Sequence, residues 1–444
     1  MVSQFPENIT DSQGIRKLFR NYAYPAMINM VVMALYNIVD RIFIGHGAGA
    51  FAICGLALTL PYVSLLGTIG TLTGVGGAAR ISAAISLNNE RLACRILGNA
   101  TLLNLILSLI LIVFSLCYLD PILMAFGGSE QTIPYANKYL SIVIPGSLLT
   151  NLNFTYCNAI RASGFPRKSM MIILTGVIAN IILDPVFIFG FGMGIEGAAI
   201  ATVLSMCISS VLIVVHLRSK QNTLRLKPLC FKPQLLILIS IAGVGMAAFI
   251  MNITTGMVNI IMNRYLENYG GDFAIGAYGI ISSYSILVSM LLMGICQGMQ
   301  PIISYNYGSG RRYLSKYTLR AGIYTGSLIA CIGFILGEIL APWLVAAFTS
   351  DQTLLQLSEK GLRLTFLAMP LIGFQIIVTS YFQSIRQAPK AIAMNISRQF
   401  IFLIPALGIF SRHWGLPGIW LAIPFADLMA TLMAFFFIRH QLKS

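Results

Sequence analysis

The run Leu102–Leu119 reads LLNLILSLILIVFSLCYL and holds no charged residue over its 18 positions. A helix needs about 20 mostly apolar residues to cross the hydrocarbon core of a bilayer. A strand of a transmembrane barrel would instead alternate polar and apolar residues over about ten positions. Because this run is continuous rather than alternating, it predicts a membrane-spanning helix.

The composition extends this prediction to the whole chain. Of its 444 residues, 57% are hydrophobic and only 10% charged, and the mean hydropathy is +0.82. A soluble domain carries about 25% charged residues. We therefore expect an all-α integral membrane protein with twelve transmembrane helices. The predicted spans lie near residues 21–45, 51–86, 92–118, 137–160, 168–191, 195–217, 233–265, 273–306, 315–340, 361–385, 391–411 and 415–438.

The basic residues predict the orientation of the chain. Cytoplasmic loops carry an excess of Lys and Arg. If the N-terminus is cytoplasmic, only six of the 29 basic residues fall on the outer side: Arg41, Lys138, Arg264, Lys360, Arg363 and Arg412. The remainder, with Arg398 assigned to the last inner loop, lie on the inner side. We therefore expect both termini in the cytoplasm and a multi-pass chain in the cell (inner) membrane. The net charge of +15 then reflects topology rather than nucleic-acid binding.

The two halves of the chain resemble each other. The matching segments are Phe51-Ala52-Ile53 with Phe273-Ala274-Ile275, Pro121 with Pro342, Gly164-Phe165-Pro166 with Ala388-Pro389, and Gly194–Gly197 with Gly415–Gly418. Their order is the same in both halves and their offset is nearly constant, which indicates an internal repeat. Six spans return the chain to the same side, so the halves would be related by an axis along the membrane normal.

The repeat predicts the domain organisation. We expect an N-lobe over residues 1–217, a basic cytoplasmic linker over 218–232 and a C-lobe over 233–444. A cavity between two such lobes is where a transporter would hold its substrate, although channels are also built from duplicated halves.

Four acidic residues lie within the predicted spans: Asp40, Asp184, Asp427 and, near an outer end, Glu338. An acid in the hydrocarbon region is costly unless it is neutralised or paired, so it marks a functional site by default. Asp40 follows Arg20 by 20 residues and Asp184 follows Lys168 by 16. At about 1.5 Å per residue both acids reach a similar depth, in the outer part of the membrane.

Polar neighbours strengthen this pair of acids. Tyr36 and Asn37 share a helix face with Asp40, and Asn180 shares one with Asp184. Thr202 on the sixth span can lie at the same level. Such a group could hold one or two protons, or a sodium ion with oxygen ligands.

Two structural interpretations compete with that function. Asp40 could pair with Arg41 and extend toward the outer surface, although adjacent helical residues point about 100° apart. Asp184 could begin a turn at the membrane surface, because Asp-Pro is a common turn pair.

Further polar residues in the spans could line a substrate cavity. These candidates are Gln297, Gln300, Asn259, Asn263 and Asp427. Hydrogen bonding from helix to helix explains each amide at least as well, and for Asp427 a structural role is as plausible as a functional one.

Several motifs resemble those of the multidrug and toxic-compound extrusion (MATE) family, in particular its bacterial MepA-like branch. They include Ala34–Gly45 (ALYNIVDRIFIG), Asn180–Phe189 (NIILDPVFIF) and Gly298–Gly308 (GMQPIISYNYG). The motifs fall in the family's order over nearly the whole chain.

The resemblance implies twelve helices in two six-helix lobes that open alternately to each side of the membrane. It implies a secondary active antiporter without a cofactor that exports amphipathic, often cationic compounds in exchange for protons or sodium. The cation-site positions it implies are Asp40, Asn180, Asp184 and Thr202, with Asn158 as an addition. Some branches also carry acids in spans seven and ten. Residues 255–266 and 365–379 contain none here, which argues against a second cation site.

Two other functions stay open. A flippase for a lipid-linked precursor would share the two lobes, but should line its cavity with several basic groups. An intramembrane enzyme would need clustered catalytic residues, whereas the four histidines are scattered and neither a HExxH nor a Walker motif occurs. We therefore expect a monomeric transporter in the lipid bilayer rather than an enzyme.

The predicted orientation can be tested at the linker. Proteolysis within residues 218–232, or thiol labelling of Cys230, should occur from the cytoplasmic side. Modification from outside intact cells alone would contradict the predicted topology.

Overall fold

The computed structural model describes residues 27, 30–32, 34–35, 38–87, 89–219, 228–308, 310–385 and 387–443, and every regular element within them is a helix. The helices are α1 (38–48), α2 (Ala50–Leu66), α3 (Thr68–Ser86), α4 (Glu90–Cys117), α5 (Leu119–Ala125), α6 (Ile133–Ala162), α7 (Pro166–Pro185), α8 (Gly194–Arg218), α9 (Leu235–Gly308), α10 (Arg312–Ile339), α11 (Ala341–Ala346), α12 (Gln352–Phe366), α13 (Met369–Ser384), α14 (Ala388–Ile396), α15 (Ile404–Trp414) and α16 (Leu416–Lys443). Two π-helical segments, Val186–Gly190 and Ser397–Leu403, follow α7 and α14, and a 3-10 turn covers Pro228–Phe231.

The helices account for the twelve predicted spans. Among the described residues, 8 helices are long and apolar enough to cross a membrane, or 9 when the bent pair α12 and α13 counts as one span. The 74-residue α9 breaks at Gly271, where φ is 65°, and so supplies two spans. The more polar α6 is 30 residues long. The first span, which ends in α1, is only partly described.

The third span shows why these helices need lipid. On α4, the large apolar residues Ile106, Ile110 and Val113 are exposed, with Ile110 62% accessible. The polar residues Asn104 and Ser108 are buried instead. A water-soluble helix would show the opposite arrangement, so this helix presents its apolar stripe to the hydrocarbon chains.

Polar side chains join spans two, three and four in their interior. The Asn104 Nδ2 atom donates to the hydroxyls of Thr73 and Thr155, at 2.8 and 3.0 Å. Asn151 donates to Ser108 at 3.2 Å and accepts from the backbone N–H of Gly70 at 3.1 Å. Each amide donor in this cluster has a partner, so the cluster holds helices together as interhelical hydrogen bonds do in membranes.

The internal repeat reappears in the backbone. Gly49 and Gly271, which precede the matching Phe-Ala-Ile segments, have φ values of 87° and 65°. Gly194 and Gly415, at the starts of the last spans of each half, have φ values of 54° and 60°. Only glycine adopts these angles at little cost, so the repeat preserves the points where the chain changes direction.

Close helix contacts also repeat. A Cβ atom on Gly197 would lie 2.9 Å from the carbonyl oxygen of Phe187, and one on Gly418 would lie 2.1 Å from that of Phe410. Pro121 and Pro342 each lie in a short helix, α5 and α11, that follows a long span. The two halves therefore share local architecture as well as sequence.

The chain packs into two compact units. The first, the N-unit, comprises Val39–Glu267, and the second, the C-unit, comprises Met1–Ile38 together with Asn268–Ser444. This division differs from the lobe boundaries predicted from the sequence repeat, because the seventh span packs with the N-unit and the start of the first span with the C-unit.

Small residues explain the placement of the seventh span. A Cβ atom on Gly245 would lie only 2.0 Å from the carbonyl oxygen of Leu72 on α3, so the two backbones nearly touch. Asn252 donates to the Thr71 hydroxyl at 3.1 Å, one more bond between the same helices. The sequence repeat cannot reveal that the seventh span joins the N-unit, because this placement depends on which helix surfaces fit together.

The end of the linker is anchored to α4. The Asn99 side chain donates to the carbonyl oxygen of Lys232 at 3.1 Å and accepts from the backbone N–H of Gln234 at 2.8 Å. Cys230 is buried, and its carbonyl oxygen would lie 2.0 Å from a Cβ atom on Gly98. A thiol-labelling test of topology is therefore better made with Lys232→Cys, because Lys232 is exposed.

Gly245→Val should destabilise the N-unit by separating the seventh span from α3. We expect a cost of about 1–3 kcal/mol, typical of overpacking, seen as a lower melting temperature of the purified protein. Gly243→Val is the matched control, since a Cβ at Gly243 meets nothing within 4 Å. Equal melting temperatures for the two variants would contradict this packing.

Candidate cation-coupling site

Asp184 lies at the C-terminal end of α7, in the fifth span. Pro185 follows it directly, and a proline in a helix removes a backbone donor and crowds the carbonyl four residues earlier. The helix continues without a turn but widens into the π-helical segment Val186–Gly190. Such π segments occur often at functional sites, and here one begins directly beyond a buried carboxylate.

Neighbouring helices hold this π segment on two sides. Phe43 of α1 meets Phe189 edge to face at 6.0 Å, and a Cβ on Gly47 would lie 2.2 Å from Ile188. On α8, Gly197 lies against the backbone of Phe187. These contacts bring the first, fifth and sixth spans together around Asp184.

Four predicted site residues meet here. Asp184 is fully buried, and its Oδ1 atom accepts from Asn180 Nδ2 at 3.1 Å. The same Nδ2 atom lies 3.4 Å from the Thr202 hydroxyl on α8. Asp40 of α1 and Asp184 lie within hydrogen-bonding reach of each other. The structure thus brings together Asp40, Asn180, Asp184 and Thr202.

The site leaves oxygen atoms without hydrogen-bond partners. Among the described residues, Asp40 Oδ1, Asn180 Oδ1 and Asp184 Oδ2 are buried and unpaired. An ionised carboxylate can only accept hydrogen bonds, so a bond between two carboxyl groups requires a proton on one of them. A bound proton would supply that bond, and a cation with oxygen ligands would use the unpaired oxygen atoms instead.

The structure bears differently on the two structural interpretations of these acids. The prediction that Asp184 begins a turn at the surface is wrong, because the residue is fully buried and its helix continues. Arg41 does act electrostatically on Asp40, so that interaction accompanies the contact with Asp184.

Other predicted residues lie elsewhere or outside the described part. Asn158 lies four residues before the C-terminal end of α6 and donates to the carbonyl of Phe154 at 2.8 Å. At about 1.5 Å per residue, Asn158 and Asp184 are separated by roughly 20 Å along their neighbouring helices. Asn158 therefore does not join the site. Tyr36 and Asn37 lie outside the described residues.

The candidates for a substrate cavity belong to two different units. Asn259 and Asn263 lie in the N-unit, and Gln297, Gln300 and Asp427 lie in the C-unit. Gln300 Nε2 lies 3.3 Å from the Ser380 hydroxyl, as the helix-to-helix interpretation expects. Gln297 is exposed, with Nε2 3.8 Å from Met30 Sδ, and Asn263 is buried.

Arg398 is a residue that the sequence assignment placed wrongly. It lies ten residues inside the eleventh span rather than in an inner loop, and its Nε atom donates to Asp427 Oδ1 at 2.6 Å. The predicted span 391–411 already enclosed Arg398, and this was the signal for an intramembrane base. Glu338 lies one residue before the C-terminal end of α10.

Comparisons with known proteins agree with this architecture. The chain is 28% identical over 424 residues to the multidrug export protein MepA of Staphylococcus aureus strain MRSA252, covering 96% of this chain and 93% of that protein. MepA of Staphylococcus haemolyticus is also 28% identical, over 428 residues.

Solved structures share the fold. The MATE multidrug transporter DinF-BH, solved in complex with a dye, has a TM-score of 0.78 and 30% identity, and 98% of each chain is covered. An inward-facing multidrug resistance MATE family transporter reaches a TM-score of 0.87 at 22% identity, with 94% of this chain and 98% of that chain covered.

The family model named MatE matches the chain twice, over residues 25–186 and 247–407. The two matches fall in the two halves of the internal repeat, and the first contains both Asp40 and Asp184. With its twelve-helix membrane fold and its MepA-like relatives, the chain belongs to the MatE family of transporters.

Proposed function

We propose that this protein is a secondary active antiporter that exports amphipathic, often cationic compounds in exchange for a proton or sodium. Its relatives MepA and DinF-BH are described as a multidrug export protein and a multidrug transporter. Coupling to an ion is the further step. It is supported by Asp40 Oδ1 and Asp184 Oδ2, which are buried without hydrogen-bond partners among the described residues, on two carboxyl groups within hydrogen-bonding reach of each other.

The residues of the site would have distinct roles. Asp40 and Asp184 would take up the ion, and Asn180 would orient Asp184 through its hydrogen bond. The π segment ends at Gly190, six residues beyond Asp184. The site would therefore lie about 9 Å below the outer end of the fifth span, within reach of ions from outside.

The geometry favours a proton over sodium. Two carboxyl groups in direct contact can share a proton without any rearrangement. A hard cation needs several oxygen ligands around it, so the carboxyl groups would first have to separate. Asp40, Asn180, Asp184 and Thr202 could then supply the ligands for sodium.

Ion and drug would be coupled through conformation. Protonation removes charge from the site and lets the adjacent helices repack, whereas a cationic drug favours the ionised state. A ligand shifts such an equilibrium only through its different affinity for the two states. Ion uptake from outside and drug release to the outside would thus be linked without a shared binding site.

We further propose that the protein works as a monomer in the cell (inner) membrane with both termini in the cytoplasm. The distribution of Lys and Arg supports this orientation. The lobes would move about the basic linker 218–232. A flippase activity is the alternative, but the relatives named above are described as multidrug transporters.

The direct test is efflux of a cationic dye from cells that express the protein. Efflux should stop when the proton gradient is collapsed and continue when only the sodium gradient is removed. Dependence on sodium alone would assign the site to sodium, and efflux independent of both gradients would contradict antiport.

Asp40→Asn and Asp184→Asn should each abolish uphill dye export while expression stays normal, because neither variant can hold an ionised carboxyl pair. Asp120→Asn is the matched control, since Asp120 is exposed and its bond from Asn137 at 2.6 Å can persist with an amide oxygen. Normal accumulation gradients in either site variant would exclude that acid from coupling.

Dye binding to the purified protein should weaken as the pH falls. Protons would neutralise the two acids and favour the state with lower affinity for a cation. The double variant Asp40→Asn with Asp184→Asn should bind dye with little dependence on pH. If its pH dependence matches that of the unaltered protein, the titrating group lies elsewhere.

The variant Thr202→Val distinguishes proton coupling from sodium coupling. It removes a hydroxyl oxygen that sodium would use but that a shared proton does not need. Export should therefore persist, measured as the initial rate of dye efflux under a proton gradient. A loss as complete as that of Asp184→Asn would favour sodium.

A further inference from the structure

The C-unit contains an ion pair at membrane depth that the coupling site does not use. Arg398 lies in the π segment Ser397–Leu403 of the eleventh span, and Asp427 lies on α16, the twelfth. The Nε atom of Arg398 donates to Asp427 Oδ1 at 2.6 Å. The Asp427 side chain is 1% exposed and the Arg398 side chain is 34% exposed.

This pair uses only part of its hydrogen-bonding capacity. A guanidinium has five N–H donors and commonly binds a carboxylate through two parallel bonds. Among the described residues, Arg398 contributes only its Nε donor to a hydrogen bond. Asp427 Oδ2 is buried without a partner in the part of the chain that the structure describes. A pair that served only to join two helices would be expected to engage both oxygen atoms.

The position of Arg398 determines what its exposed part can face. The residue lies ten positions after Ala388, the first residue of α14, or about 15 Å along the helix. A charged side chain at this depth is too costly against hydrocarbon and faces the protein interior or a water-filled cavity. The exposed third of the Arg398 side chain should therefore face the protein interior or a water-filled cavity rather than lipid tails.

The same unit holds a pair of stacked aromatic rings. Tyr278 of α9 lies within electrostatic reach of Arg398. Its ring stacks on Trp420 at a centroid distance of 6.4 Å and an interplanar angle of 26°. Trp420 precedes Asp427 by seven residues, two helical turns, and so shares its helix face. Trp420 is only 2% exposed, so this stacked pair packs helices together and does not itself line a ligand site.

We propose that Arg398 binds the carboxylate, or another anionic group, of exported compounds, with Asp427 holding the guanidinium in place through its Nε atom. The terminal nitrogen atoms would form a bidentate pair with the ligand. The protein would then accept zwitterionic amphipathic compounds as well as cations. This inference rests on the proposed export function and adds a residue that selects among substrates.

The test uses two forms of one dye: a cationic rhodamine ethyl ester and the same rhodamine as its free carboxylic acid. Binding to the purified full-length protein is measured by fluorescence anisotropy. The unaltered protein should bind the acid at least as tightly as the ester. Arg398→Gln should weaken binding of the acid by about tenfold, as expected for loss of a charge-assisted hydrogen-bond pair, and leave the affinity for the ester nearly unchanged.

Controls separate this role from a structural one. Arg398→Lys keeps the charge but loses the fork of donors, so it should recover only part of the affinity for the acid that Arg398→Gln loses. Arg412→Gln, at an exposed position on the outer end of α15, removes a charge without affecting either dye. If Arg398→Gln does not fold, Arg398→Gln combined with Asp427→Asn removes both charges together and carries the same expectation.

Equal weakening of both dyes would show that Arg398 only holds the helices together and would overturn the proposal. Much weaker binding of the acid than of the ester by the unaltered protein would overturn it as well. Failure of the unaltered protein to bind the ester would instead count against the proposed export function itself.

Discussion

Backbone N–H and C=O groups find no water in the hydrocarbon core, so each must be satisfied within its own helix. This constraint makes every described regular element helical and limits where the chain can deviate. Deviations occur at a few defined points: after Pro185, in Ser397–Leu403, and at glycines such as Gly271. Two of these points adjoin the charged residues of the spans, which links the irregular backbone to the sites.

Charged side chains are also poorly solvated in the hydrocarbon core, and the two units stabilise them in different ways. In the N-unit, Asp40 and Asp184 lie together with their remaining oxygen atoms unpaired among the described residues. Under the proposed mechanism, a mobile ion neutralises them. In the C-unit, Asp427 has a fixed counter-ion in Arg398. A site that must be filled from solution suits coupling, whereas a site neutralised by its own side chain can remain unchanged through a transport cycle.

Duplication and later divergence explain this contrast. The halves keep the glycines at equivalent positions, Gly49 with Gly271 and Gly194 with Gly415, because the direction of the chain depends on them. The charged residues follow no such rule. Asp184 belongs to the fifth span and Arg398 to its counterpart, the eleventh, but they lie at different depths. Backbone geometry is therefore common to both halves, while the chemistry within each half is its own.

The sequence by itself determined the membrane class, the helical fold and the repeat, because apolar runs such as Leu102–Leu119 and glycines at turns act locally. It also indicated that Asp40, Asn180, Asp184 and Thr202 could meet, since depth along a helix follows from residue counts. Only the tertiary structure decided which helix faces pack together. It separated Asn158 from the site, placed the seventh span against α3 through Gly245, and paired Arg398 with Asp427. These outcomes depend on rotation about the helix axis and on surface fit between distant segments, which one-dimensional spacing does not specify.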